Sequence, residues 1–302
     1  MSDMKLPAFT LIGFGEAGQA FAEGLRREGV ETIAAWDILF PDEKRGANLR
    51  AAAKRLGARM GTNAIDAVRG ADIVIAAVTA SSNLEAAEQA APGLAPNQIY
   101  IDINSVSPAR KRKAAAIIGD RARFIGMAVM APVHPLLHKT PVLISGAAAA
   151  EALPVLKRCG MDAAEVGTDA GAATSIKMVR SVMIKGLEAL TQECFAAARV
   201  AGVEDRIIAS LTQTFPTLDW ASIVDYNMER MASHGIRRAA EMREVCETLE
   251  ELGVEPALTR GTVVRQQRTG DANLKEAFGG KVPQDRAVIL GELIKRAKGS
   301  LV

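Results

Sequence analysis

Near the N-terminus an apolar run, Phe9-Thr10-Leu11-Ile12, passes directly into Gly13-Phe14-Gly15-Glu16-Ala17-Gly18, and a helix-like stretch over 19–28 follows at once. Strand, glycine loop and helix in immediate succession open a doubly wound parallel sheet and form a device for holding a pyrophosphate. Gly13 permits the tight turn, Gly15 lets the backbone approach the phosphates, and Gly18 lets helix and strand pack closely. The first helical turn then offers unpaired N–H groups and a positive dipole end to the anion. Phe14, Glu16 and Ala17 complete the loop, so all six residues are assigned to cofactor contact. A bare GxGxxG also occurs in ordinary glycine-rich turns. The strand before it and the helix after it favour the dinucleotide reading.

The first half of the chain alternates. Segments 9–12, 32–36, 72–78, 99–103, 123–129, 142–145 and 163–166 read as short apolar strands. Between them, 44–56, 84–91, 108–118 and 151–158 carry helical spacing, with Ser107 a plausible N-cap ahead of Pro108. Strands alternating with helices imply right-handed crossovers and a mostly parallel sheet. From residue 169 the texture changes, and 169–202 reads as one long helix in which Ile176, Val179, Met183 and Leu187 form a stripe expected to be buried. Further helices are expected over 204–214, 217–230, 236–252 and 284–298, with no strand among them. The fold class is therefore α/β. A Rossmann-type doubly wound domain spans 1–167, and an all-helical domain built around a long interdomain helix spans 168–302.

An acid about 20 residues after the glycine loop is placed to accept hydrogen bonds from the adenosine ribose. Asp37, closing Ala34-Ala35-Trp36-Asp37, meets that condition and would repel a 2′-phosphate, which argues for NAD. Asp37 can also be a simple turn-former. Lys44 and Arg45 follow closely enough to neutralise a 2′-phosphate, so NADP stays open. The net charge of +2 gives no reason to expect a nucleic acid or an anionic membrane as partner. No stretch approaches the ~20 apolar residues needed to cross a bilayer, and the opening Met-Ser-Asp-Met-Lys lacks a signal-peptide pattern. Cys159, Cys194 and Cys246 are widely spaced, lack CxxC pairing and read as mostly buried, reduced thiols of a cytoplasmic protein.

Small residues precede Lys177 in Gly171-Ala172-Ala173-Thr174-Ser175-Ile176-Lys177, which would bring that helix close to the nucleotide domain and leave Lys177 at a cleft. A desolvated lysine exchanges a proton near neutral pH, as hydride transfer at a carbinol requires. Alone, a helical lysine is usually a solvated charge. The order of the glycine loop, Asp102-Ile103-Asn104-Ser105-Val106-Ser107-Pro108, Ala131-Pro132-Val133, then Gly171 with Lys177, resembles the β-hydroxyacid dehydrogenases. That family includes 3-hydroxyisobutyrate and 6-phosphogluconate dehydrogenases, with imine reductases as distant relatives. The resemblance covers nearly the whole chain and points to a branch carrying His-Gly-Ile-Arg-Arg-Ala-Ala-Glu-Met over 234–242.

The resemblance implies Lys177 as the catalytic lysine, Ser105 and Ser181 as substrate contacts, and Val78, Thr79 and Asn104 beside the cofactor. It also implies a homodimer formed through the helical domain. Departures are specific. Thr79 stands for a proline, Asn104-Ser105 for a Ser-Thr pair, Ala173 for a second glycine and Ser181 for an asparagine. After Val133 the family's Ser-Gly-Gly cradle for the substrate carboxylate is replaced by His134-Pro135-Leu136, and Pro135 has no N–H. His134 is a candidate side-chain donor in its place, with Arg180 or Lys185 as helpers, or else a structural loop histidine. His134 and His138 lack an acidic companion, so no metal site is expected. His234 falls near a second family lysine or is a surface histidine at a helix N-terminus. Where 6-phosphogluconate dehydrogenases have a glutamate, Ile184 cannot transfer a proton, so no enzyme-assisted decarboxylation is expected. The function expected is hydride transfer between nicotinamide and a small hydroxy acid or related alcohol. An imine or ketone reductase, or a nucleotide-binding dimer without activity, are the alternatives.

Overall fold

The computed structural model describes residues 5–296. It divides into two compact units, Met1–Lys177 and Met178–Val302. The division falls inside the long helix, whereas the sequence places a boundary ahead of it at 167/168.

The first unit is built on an eight-stranded sheet in the order β3-β2-β1-β4-β5-β6-β7-β8. Its strands are β1 (Phe9–Ile12), β2 (Ile33–Trp36), β3 (Arg59–Met60), β4 (Ile73–Ala76), β5 (Ile99–Asp102), β6 (Arg123–Val129), β7 (Val142–Ser145) and β8 (Ala163–Glu165). All pairings are parallel except β6 with β7. The helices are α1 (Glu16–Arg27), α2 (Ala47–Arg55), α3 (Ala64–Val68), α4 (Asn83–Ala90), α5 (Pro108–Ile118) and α6 (Ala149–Arg158). Every residue of β4 is buried, because helices cover both faces of a parallel sheet. Ile73 and Ile75 join the core on one face, with Phe21 and Leu25 of α1. Val74 and Ala76 join the other, with Tyr100 and Ala114.

The registers Ile12↔Trp36, Ile12↔Ala76 and Ala76↔Asp102 bring the carboxyl ends of β1, β2, β4 and β5 to one level. The strand order reverses between β1 and β4, and ligands of such sheets bind at that switch point. The short edge strand β3 and the five-residue α3 escaped the sequence reading because neither is long enough to show a period.

The second unit is helical. It holds most of α7 (Ala172–Ala201), followed by α8 (Glu204–Thr214), α9 (Trp220–Glu251), α10 (Ala257–Asp271), α11 (Leu274–Ala277) and α12 (Arg286–Arg296). Residues 297–298, expected to extend the last helix, lie outside the described residues. The two helices expected over 217–230 and 236–252 are one, α9. Gly235, which lies between the two expected segments, is buried where α9 meets α10, and a Cβ there would lie 2.6 Å from the Gly270 nitrogen. His234 is consequently mid-helix and not at an N-terminus. The unit's main core gathers Phe195, Val224, Met228, Leu274, Ile289 and Leu290.

The stripe expected to be buried on α7 is exposed, with Val179 at 47% and Met183 at 72%. The buried positions include Ser181, Lys185, Glu188 and Gln192. Charge pairing makes this inversion tolerable. Arg238 Nη1 lies 2.6 Å from each Glu188 carboxylate oxygen, Gln266 Nε2 donates to Glu188 at 3.0 Å, and Lys185 Nζ lies 2.7 Å from Glu241. Lys185 is therefore ion-paired within its own unit and not a spare cation for substrate. Of the cysteines only Cys159 is buried; Cys194 is exposed, contrary to expectation.

Candidate active site

The glycine loop leaves β1 with Gly13 at φ +90°, a left-handed conformation that a side chain disfavours. A Cβ on Gly13 would lie 2.4 Å from the Ala77 carbonyl oxygen, and one on Gly18 would lie 2.2 Å from the Gly13 oxygen. Both are excluded by contact. Gly15 differs, because a Cβ there would meet nothing within 4 Å. It is the N-cap of α1 and supplies no side-chain cap, so the helix start faces open space with N–H groups unclaimed by a cap. Phe14 is fully buried and anchors the loop, whereas Glu16 is exposed and Ala17 half-buried. This cradle fits a pyrophosphate.

Asp37 is tied to the loop directly. Phe14 N–H donates to Asp37 Oδ2 at 2.7 Å, and Leu39 N–H donates to Oδ1 at 2.9 Å. Each carboxylate oxygen keeps a lone pair, so Asp37 can still accept from ribose hydroxyls. The following turn is held by Arg50, whose guanidinium donates to the carbonyls of Phe40, Asp42 and Glu43. Lys44 and Arg45 are exposed on that turn. The residues present therefore fit an adenine dinucleotide.

At the ends of β4 and β5 two loops are fastened together. Val78 N–H donates to Asn104 Oδ1 at 2.7 Å. Thr79 is exposed, with its hydroxyl near Ser81 and Ser82. Asn104 is in turn held by Asp102, whose Oδ1 accepts from the Asn104 backbone N–H at 2.9 Å and from Nδ2 at 2.6 Å. Lys111 Nζ reaches Asp102 Oδ1 at 2.9 Å and the Asp102 carbonyl at 2.6 Å, and both side chains are fully buried. Burial pulls the Lys111 ammonium below the ordinary lysine range, opposed by the adjacent Asp102 charge. The sequence reading missed this pair because Lys111 sits in the run Arg110-Lys111-Arg112-Lys113, which looks like a solvated face. A signal was present: Lys111 shares a helical register with the buried Ala114 and Ile118.

The loop carrying Ser105 meets the start of α7. Thr174 Oγ1 donates to the Val106 carbonyl at 2.8 Å, and Ala173 N–H donates to Ser145 Oγ at 3.0 Å. The small residue at Gly171 is required here, since a Cβ would lie 3.0 Å from Pro108 Cβ. Lys177 Nζ then donates to Ser105 Oγ at 2.6 Å, with both residues half-buried. A lysine beside a hydroxyl, at the carboxyl end of a sheet whose switch point fits a dinucleotide cradle, can give a proton to a bound oxygen as the ammonium or take one as the neutral amine.

The remaining candidates are more dispersed. His134 lies in an exposed turn after β6, where the His134–Pro135 peptide is cis, and its imidazole has no hydrogen-bond or ion-pair partner among the described residues. Ser181 is buried in the second unit, with Lys185 Nζ at 3.4 Å from its hydroxyl. His234 is half-buried, and burial followed by Arg230 and Arg237 pushes its pKa down to about 4. Among the described residues no cluster of three or more His, Cys, Asp and Glu is placed to hold a metal, and no helix is long and apolar enough to cross a membrane.

Comparison with known proteins bears on the family and the fold. Residues 8–105 match a family described as NADP oxidoreductase, coenzyme F420-dependent, and residues 198–269 match a domain of unknown function (DUF1932). A conserved hypothetical protein from Sinorhizobium meliloti 1021 is 36% identical, covers 97% of this chain and 97% of its own, and superposes with a TM-score of 0.77. A conserved protein of unknown function, described as structurally similar to 3-hydroxyacid dehydrogenases, is 30% identical over 89% of this chain and 98% of its own, at a TM-score of 0.70. The chain belongs to the β-hydroxyacid dehydrogenase-like family. Among curated members of wider kinship, an NAD-dependent L-serine dehydrogenase from Pseudomonas aeruginosa is 27% identical over 72% of both chains. As a β-hydroxyacid dehydrogenase-like protein, the chain has the expected Rossmann-type sheet and helical second half.

Proposed function

We propose that this protein is an NAD-dependent oxidoreductase that passes a hydride between nicotinamide and the carbinol carbon of a small hydroxy acid or related alcohol. The observation that carries this reading is the 2.6 Å contact between Lys177 Nζ and Ser105 Oγ. NAD, when bound, supplies the hydride acceptor. Gly13, Gly15 and Gly18 shape the phosphate cradle, and Phe14, Glu16 and Ala17 complete it. Asp37 takes the ribose hydroxyls, while Val78, Thr79 and Asn104 form the wall beside the nicotinamide end. Lys177 as the neutral amine takes the hydroxyl proton when the carbinol is oxidised, becoming the ammonium, and the ammonium returns that proton in the reverse direction. Ser105 holds the same oxygen by a hydrogen bond. Ser181, one helical turn beyond Lys177 in α7, and His134 orient the rest of the substrate. Ile184 has no proton to give to the carbon from which a carboxylate would depart, so no decarboxylation step is assisted.

The name of the Pseudomonas relative supports NAD and a β-hydroxy acid as the substrate class. A second reading, an imine or ketone reductase, is favoured by the turn at His134-Pro135-Leu136. Pro135 cannot donate to a substrate carboxylate, and Leu136 is 52% exposed. The protein is also proposed to act as a homodimer, because Met183 and Leu190 stand 72% and 66% exposed on α7.

The test is a panel of hydroxy acids (L-serine included), sugar acids, aryl alcohols and cyclic imines, followed by absorbance of reduced nicotinamide with NAD and with NADP. Turnover of a hydroxy acid with NAD supports the first reading, and reduction of imines alone supports the second. NAD binding without turnover on any compound leaves a nucleotide-binding dimer.

A further inference from the structure

We propose that the buried pair Lys111–Asp102 is a positioning device for the Ser105–Lys177 couple, holding the 103–107 loop so that Ser105 meets Lys177. The proposal rests on the oxidoreductase reading for its kinetic consequence, though not for its structural one.

The Asp102 carboxylate is the node of the network. Its Oδ1 accepts from Asn104 N, Asn104 Nδ2 and Lys111 Nζ, and its Oδ2 accepts from Asn83 Nδ2 at 2.7 Å. Only an ionised carboxylate accepts from every side in this way; an amide or a protonated acid turns one atom into a donor. Lys111 supplies the opposite charge that lets Asp102 stay ionised with no exposure to water. Asn104, fixed by both of its own donors, presents Oδ1 to Val78 N–H and so fastens the β4 loop to the β5 loop. Ser105 is the next residue in the chain, and its carbonyl neighbour Val106 is held from the other side by Thr174. The orientation of Ser105 is thereby set by one charged tether beneath the loop and one neutral tether beside it.

Stability alone does not call for such a pair. Replacing both members of a buried ion pair with neutral groups of similar volume is often neutral or stabilising, whereas removing one member is not. The gain from keeping charges here is a fixed geometry at a loop with no regular secondary structure. Displacing a catalytic contact by about 1 Å can lower turnover about 100-fold.

Three variants of the full chain separate positioning from simple stability: Lys111→Met, Asp102→Asn, and the double Asp102→Asn/Lys111→Met. Thermal midpoint, hydrogen exchange of segments 77–79 and 103–107, NAD affinity and kcat are measured for each. Lys111→Met leaves Asp102 unpaired, so its midpoint falls, its loops exchange at least about tenfold faster, and kcat drops about 10–100-fold with a much smaller change in NAD affinity. The double variant carries no orphan charge and regains its midpoint. Its loops stay fast-exchanging and its kcat stays low. Recovery of loop protection and kcat together with the midpoint would overturn the proposal, as would wild-type protection in Lys111→Met. Should Lys111→Met fail to fold, the double variant decides alone. Should the wild type turn over none of the panel, the hydride-transfer reading fails, and exchange in the double variant still decides whether the pair sets the loop.

Discussion

Lys177 Nζ lies 2.6 Å from Ser105 Oγ, joining the second turn of a 30-residue helix to the loop that ends β5. In the proposed reaction Ser105 holds the proton-transfer group and touches the reacting oxygen. Its replacement by alanine leaves Lys177 present and loosely aimed. We expect Ser105→Ala to lower kcat by about 10–100-fold while NAD affinity stays within about twofold. Steady-state kinetics with fluorescence titration of NAD measure both, and an unchanged kcat would remove Ser105 from the site.

The glycine loop predicts a split between stability and binding. Gly18→Ala drives a methyl group into the Gly13 carbonyl and is expected to cost about 1–3 kcal/mol of stability as well as NAD binding. Gly15→Ala meets open space, so the folded protein keeps its thermal midpoint while its pyrophosphate approach is blocked. Calorimetry and NAD titration of the two variants report this. Equal loss of midpoint in both variants would contradict the assignment of Gly15.

Asp37 latches Phe14 N–H, and in the proposed function it also meets the ribose hydroxyls. Asp37→Ala is expected to weaken NAD at least about tenfold, because a charged acceptor is lost from a hydrogen-bonded position. NADP should suffer less, since the carboxylate that repels the 2′-phosphate is gone. A parallel titration with both nucleotides settles the preference, and a wild-type preference for NADP would overturn the role given to Asp37.

The α7 stripe yields a prediction about assembly. Met183→Glu with Leu190→Glu places charges on an apolar face exposed in the single chain. Sedimentation velocity should show a dimer for the wild type and a monomer for the variant, with the far-ultraviolet spectrum unchanged. A wild-type monomer would leave the stripe without that role.

Acid should destabilise the protein through His234. Its pKa is pushed from the ordinary 6.5 to about 4, by burial first and then by Arg230 and Arg237. The unfolded chain therefore binds the proton first as pH falls. The stability contributed by neutral His234 is whole above pH 6.5 and is lost between 6.5 and about 4. Allowing for solvent screening of a half-exposed group, the loss is about 1 kcal/mol. His138, whose pKa burial also lowers, adds to the same slope. His234→Gln should flatten part of this fall in denaturant titrations at pH 7, 5.5 and 4.5, and an unaltered slope would refute the assignment.

Much of the first unit was legible in residue order. The alternation of short apolar strands and helices, the glycine loop and Asp37 each rest on local chemistry that a sequence displays. β1, β6, β7 and α5 fall where periodicity places them. What escaped depends on partners distant in the chain. The stripe of Val179 and Met183 looks buried because apolar spacing marks a face without saying which body covers it. The continuity of α9 through Gly235 escaped because its packing partner, Gly270, is invisible in a local window. Lys111 looks solvated because its counter-ion lies across a loop, at Asp102. The resemblance implies separate roles for Lys177 and Ser105; their direct contact is visible only in the structure, because spacing alone does not bring residue 177 to residue 105.

The central claim is that Lys177 moves the proton that accompanies hydride transfer. It is tested most directly by kcat of the wild type and of Lys177→Met on whichever hydroxy acid responds, at saturating NAD, with NAD affinity measured in parallel. We predict that Lys177→Met binds NAD within about twofold of the wild type and loses about 10²–10⁴-fold in kcat. Undiminished turnover by Lys177→Met on the responsive substrate would contradict the claim.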